Sequence, residues 1–105
     1  MQIQVNTDHN TDGRETVVEY VRGVVEEAAN HFGNRITRVE VHLGDENGHK
    51  GGPGDRRCMM EARVEKRHPV AVTHHAASLD AAIAGAAGKL RRSLEHDLDR
   101  LHGRR

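Results

Sequence analysis

Lys89, Arg92 and His96 stand three and four residues apart, with Arg91 beside them. On a helix that spacing stacks three basic side chains along one face. Such a stripe can hold phosphate oxygens through charge and N–H donors. It also fits a plain solvated helix face, and cations near a helix C-terminus offset the macrodipole. Arg100, Arg104 and Arg105 extend the charge toward the end. A second basic group comprises Arg56, Arg57, Arg63, Lys66 and Arg67. Arg57 and Arg63 alternate with Glu61 and Glu65 in an extended pattern, so cross-strand ion pairs are their expected use. Arg56, Lys66 and Arg67 fall near strand ends and stay available as secondary phosphate contacts.

Other reactive chemistry is not legible. There are nine histidines, but none has the spacing of a zinc site. His74 and His75 are adjacent, and adjacent strand residues point to opposite faces. Cys58 sits among apolar neighbours and reads as a buried, inert thiol. The stretch Gly48–Gly54 has glycines and a lysine, but not the spacing or the strand–loop–helix setting of a phosphate loop. No nucleophile–base order or paired-carboxylate arrangement has a credible context. The expectation is therefore no catalytic residue, no metal, no cofactor and no small-molecule substrate. Aromatic residues make up 2% of the chain, only Tyr20 and Phe32, and both are expected in the core. A nucleic acid would then be held by phosphates and shape rather than by stacked bases.

The elements that must position these groups follow from periodicity. Met1, Ile3 and Val5 alternate with glutamines as a short strand. Asn6 to Gly13 has turn composition. Val17, Val21, Val24, Val25, Ala28 and Phe32 form an apolar stripe on a helix from Arg14 to Phe32. Thr11 or Asp12 is its expected cap, and Gly33 its left-handed stop. A second strand runs from Ile36 to Leu43, with Val39, Val41 and Leu43 inward. Residues 44–54 hold five glycines and a proline and read as a mobile loop. Arg56 to Lys66 is a third strand, with Cys58, Met60, Ala62 and Val64 on one face. A tight turn leads to a fourth strand, Val70 to His74, which Pro69 confines to an edge or to starting there. Ser78 caps a final helix from Leu79 to His102, with Leu79, Ile83, Ala86, Leu90, Leu94, Leu98 and Leu101 inward. Gly85 and Gly88 cost that helix roughly 1 kcal/mol each relative to alanine, and suit close packing against the first helix or the sheet. The order is β-α-β-β-β-α, an α+β fold with both helices on one face of a four-stranded sheet.

At 105 residues, hydrophobic 35% and charged 30%, the chain reads as one globular domain spanning 1–105. No apolar run reaches the length of a membrane span, and the N-terminus lacks the pattern of a secretory signal. A lone cysteine suits a reducing cytoplasm. The formal net charge is +0, yet it is unevenly spread. Residues 1–50 carry five lysines and arginines against nine acidic residues; residues 51–105 carry eleven against seven. A basic face on a neutral protein is thereby allowed.

The order of elements and several strings resemble the ribosome hibernation-promoting factor family, also called ribosome-associated inhibitor A or sigma-54 modulation protein. The strings are Met1-Gln2-Ile3, Tyr20-Val21, His31-Phe32 and Ile36 to Leu43. Glu61-Ala62-Arg63-Val64, Leu79 to Ile83 and Lys89 to Leu94 continue the match. The resemblance implies a fold similar to double-stranded-RNA-binding domains. It implies binding to the small ribosomal subunit and its rRNA, in the mRNA and tRNA channel, and silencing of translation under stress. No enzyme activity or cofactor is implied, and a weak homodimer is left open. Lys89 and Arg92 match the family's basic rRNA-facing positions, and Arg91, Arg100, Arg22, Lys66 and Arg67 complete the candidate contacts. Histidines near their reference pKa of about 6.5 would make RNA binding tighter at pH 6 than at pH 8. The chain departs from the family where lysines are usual: the first helix reads Val24-Val25-Glu26-Glu27, and Glu95, Asp97 and Asp99 interrupt the tail. Its Gly-rich loop is longer than in the best-known short members, and it matches the short form without a C-terminal dimerisation domain. A protein–protein interaction module on the same fold is the competing reading, favoured by the acidic first helix.

Overall fold

In the computed structural model the backbone is described for residues 1–8, 14–45 and 56–102, and side chains within that set up to residue 97. The elements are β1 (Gln2–Thr7), α1 (Glu15–Ala29), a 3-10 segment (Asn30–Arg35), β2 (Ile36–Asp45), β3 (Arg56–Val64), β4 (Val70–Ala76) and α2 (Leu79–His102). The sheet order is β1-β2-β3-β4, with β1 parallel to β2 and the other pairs antiparallel. This is the expected α+β arrangement.

Both helices bury their stripes against the same face. Val21, Val25, Ala28 and Ala29 of α1 and Ala82, Ile83, Ala86, Ala87, Leu90 and Leu94 of α2 join one core with Ile3, Val39, Val41, Leu43, Cys58, Met60, Ala62 and Val64. Ile83, Leu90 and Leu94 are fully buried. Each contributes roughly 2–3 kcal/mol of burial, which outweighs the cost of about 1 kcal/mol for each of the two glycines in the helix. The outer sheet face carries the intervening polar residues, as period-2 alternation dictates.

Several boundaries differ from the sequence reading. β1 runs on through Asn6 and Thr7, because the parallel ladder pairs them with His42 and Leu43. A neighbouring strand overrides local turn composition here. β2 likewise continues to Asp45, β4 to Ala76, and β3 stops at Val64. A register shift between Ile36 and Arg38 marks a bulge at Thr37. It lets Ile36 and Val39 both point inward, which strict alternation forbids.

α1 is shorter than its apolar stripe. It ends at Ala29 and tightens into the 3-10 segment, where Gly33 takes φ 61° and ψ −138°. The positive φ is as expected, but the ψ lies outside the left-handed helical region, and Gly33 sits four residues past the α1 end. Arg14 is the N-cap residue, with no side-chain cap bond. Thr11 and Asp12 lie outside the described residues, as do residues 46–55. The Ser78 cap is as expected: its Oγ accepts from the Ala81 amide at 3.1 Å.

The two glycines of α2 differ. A Cβ on Gly85 would fall 2.1 Å from the His74 ring, so Gly85 is what lets α2 settle on β4. At Gly88 the nearest group is the flexible Arg92 side chain, 3.5 Å away. His74 is half-buried on the helix side and His75 is exposed on the other, as alternation requires.

Candidate nucleic-acid interface

β4 is one of the two sheet edges, and α2 packs across β3 and β4. The helical period sends Ile83, Ala86, Leu90 and Leu94 into the core. It leaves Lys89, Arg92, Ser93 and His96 on the flank of α2 that overlooks the β4 edge. With Val72 and Thr73 they line a shallow, open groove. Lys89 Nζ donates to the Thr73 carbonyl at 2.9 Å. An ammonium has three donors, so two still point away from that bond. Arg92 and His96 are exposed. The groove thus gathers an ammonium, a guanidinium, an imidazole and a hydroxyl at one strand edge. That donor set suits phosphodiester oxygens, and the groove holds no Phe, Tyr or Trp as a base-stacking platform.

The turn between β3 and β4 adds to this side. Lys66 is exposed there and takes φ 62°, a left-handed conformation uncommon outside glycine. Arg67 Nη2 lies 4.0 Å from the Asp97 carboxylate of α2, which draws the turn toward the helix and offsets part of its charge.

The other candidates lie elsewhere. Arg91 faces the crevice between the helices, with Val24, Glu27, Ala28, Ala84, Ala87 and Gly88. Its Nε donates to Glu95 Oε2 at 3.3 Å, and the same carboxylate oxygen lies 3.9 Å from His31 Nε2. An exposed i,i+4 pair is worth about 0.5 kcal/mol, so it biases Arg91 without locking it. Arg22 borders the opposite sheet edge, beside β1 and Arg38. The Arg100 side chain lies outside the described residues. The structure therefore joins Lys89, Arg92 and His96, sets Arg67 and Lys66 nearby, and separates Arg91 and Arg22 from them. Ser93 was missed by sequence reasoning, though it is i+4 from Lys89. The Thr73 contact is a backbone carbonyl and leaves no side-chain signal.

The remaining assignments divide. Arg56, read as free at a strand end, pairs with the buried Asp45 carboxylate opposite it. On the outer face Arg38 reaches Glu40 at 2.8 Å. Tyr20 is not a core residue: it is 39% exposed, because α1 turns its Val21 and Val25 stripe inward and Tyr20 away. Phe32 is partly buried against the core. Glu19, Glu26 and Glu27 make the outer face of α1 acidic. Cys58 is fully buried, and the loss of hydration pushes its thiol up from 9.0 to about 12. Among the described residues no three His, Cys, Asp or Glu side chains gather as a metal site.

The fold is similar to known structures. The N-terminal domain of Thermus thermophilus Protein Y superposes with a TM-score of 0.75 at 18% identity, covering 91% of this chain and 98% of that one. A ribosomal subunit interface protein from Coxiella burnetii gives a TM-score of 0.76 at 9% identity, covering 91% and 96%. A search of curated protein sequences gives no match. The model of one family, sigma 54 modulation protein / S30EA ribosomal protein, matches residues 3–102, and the chain belongs to that family.

Proposed function

We propose that this protein binds the small ribosomal subunit, contacts its rRNA in the mRNA and tRNA channel, and silences translation in hibernating ribosomes. The family is one of ribosome-associated factors, so the coarse reading rests on the match over residues 3–102. The observation that carries the finer reading is the groove where Lys89, Arg92, Ser93 and His96 line the β4 edge. Phosphates are the partner, because the groove offers cationic donors and no Phe, Tyr or Trp stacking platform. Lys66 and Arg67 supply outer contacts. The role needs no catalysis and no cofactor, and its place is the cytoplasm.

A second reading has its own observation. Glu19, Glu26 and Glu27 on the exposed face of α1 repel phosphate, which favours a protein partner on the same fold. Co-sedimentation with ribosomes on sucrose gradients separates the two. rRNA binding through phosphates puts the protein in the small-subunit and whole-ribosome fractions at low salt and releases it at high salt. Absence from those fractions at low salt overturns the first reading, and salt-insensitive association favours the second.

A further inference from the structure

The two edges of the sheet are not equivalent. The β4 edge is guarded: Pro69 precedes it, and Lys89 occupies the Thr73 carbonyl. Lysine and proline at an edge are the usual means of blocking strand addition. The β1 edge has neither. Its sequence, Gln2-Ile3-Gln4-Val5-Asn6-Thr7, is uncharged and contains no glycine or proline. Six residues run without a bulge against β2. Beside it lies an open groove between β1 and α1, lined by Met1, Ile3, Val5 and Val18, with Arg22 and Arg38 at its rim. Met1 is 53% exposed there, a large apolar side chain left in water.

We propose that the β1 edge pairs with the β1 edge of a second copy, antiparallel about a two-fold axis through Gln4, to give a continuous eight-stranded sheet. The occupant follows from self-complementarity. A two-fold axis normal to the sheet keeps both core faces on the same side, so paired residue numbers must sum to an even number. Centred on Gln4, the register sets Ile3 opposite Val5 and Val5 opposite Ile3 on the core side. On the outer side it sets Gln4 opposite Gln4, and Gln2 opposite Asn6. Apolar meets apolar and amide meets amide, the pairings that stabilise adjacent strands. The formal net charge of +0 means that two copies approach without mutual repulsion. Arg22 and Glu26 put both signs of charge on the neighbouring flank of α1, so neither accumulates. A six-residue strand pair buries less than the roughly 1,600 Å² of a standard interface, so the dimer is weak and reversible. It leaves the Lys89–Arg92 groove free, because that groove is on the other edge.

Sedimentation velocity across a concentration series tests the proposal. The wild-type chain is expected to shift reversibly from monomer to twice its mass as concentration rises. Gln4→Lys places like charges directly opposite and should hold the chain monomeric. Gln4 is exposed but its Oε1 accepts from the Arg38 guanidinium, so thermal melting checks that Gln4→Lys is folded before its mass is read. An equal mixture of Gln4→Lys and Gln4→Glu chains should restore a mixed dimer, which only this register predicts. Independently of any substitution, amide exchange in β1 should slow as wild-type concentration rises. A wild-type chain that stays monomeric to millimolar concentration overturns the proposal. So does a dimer that ignores Gln4→Lys, or β1 exchange that is independent of concentration.

Discussion

The two residues best placed to carry charge to a phosphate do different jobs. Arg92 is exposed and its guanidinium is committed mainly to solvent, whereas Lys89 also holds the Thr73 carbonyl of the β4 edge. Arg92→Glu should therefore weaken ribosome association with no change in thermal stability. Lys89→Glu should weaken association and also lower stability, by about 1 kcal/mol for the lost backbone bond. Equal melting temperatures for the two variants would contradict the Lys89 contact. Cys58 is a second residue whose environment decides its chemistry. Its thiol is held neutral up to about pH 12 by burial, while in the unfolded chain it ionises from 9.0. A raised folded-state value leaves stability intact below 9.0 and removes it as pH rises from there toward 12. Cys58 should resist alkylation at pH 8 in the native protein and react promptly in urea. Fast labelling without denaturant would contradict its burial. Lys89, Arg92 and Cys58 were all readable from spacing and alternation. Tyr20 was not, because its position on α1 lies at the border of a stripe that six valines and alanines already fill. Arg91 was misread as a neighbour of Arg92: consecutive helical residues diverge by about 100°, enough to point Arg91 at α1.

At the scale of elements, the seating of α2 on β4 depends on one glycine and one histidine. Gly85→Ala gains helix propensity but drives a Cβ to 2.1 Å from the His74 ring. It should destabilise the protein by about 1–3 kcal/mol, the usual cost of overpacking. In a His74→Ala background the same change should turn stabilising by roughly 1 kcal/mol, the intrinsic glycine-to-alanine gain. Chemical denaturation of the four proteins in this cycle measures the coupling, and additive effects would deny the contact. Ser78→Ala should cost about 1 kcal/mol through loss of the bond to the Ala81 amide. Element types and order were legible, because periods of 3.6 and 2.0 dominate the chain. Boundaries were less so. β1 and β2 extend into Asn6, Thr7, Gly44 and Asp45 because a ladder partner on the adjacent strand satisfies their backbone, which no local composition reports. The bulge at Thr37 is invisible for the same reason: it is a property of a pair of strands.

On the scale of the whole molecule, the charge map gives a neutral protein a basic patch that fits the polyanion proposed as its partner. Bases along the β4 edge of α2 and the β3–β4 turn lie on one flank, while the acidic face of α1 lies on another. A neutral total lowers non-specific attraction to nucleic acid while leaving a short oriented patch. The halves of the sequence already held that asymmetry in their counts, but only the fold decides that Arg22 and Arg91 stand apart from Lys89 and Arg92. The central claim is that this patch, by contact with phosphates, holds the protein on the small subunit. The most direct measurement is the affinity for purified small subunits as a function of salt, for the wild type and for the Lys89→Glu, Arg92→Glu double variant. The account predicts affinity falling linearly on a log–log plot for the wild type, and for the double variant weaker binding with a slope shallower by about 2, one for each phosphate contact removed. Unchanged affinity and slope in a folded double variant would contradict it.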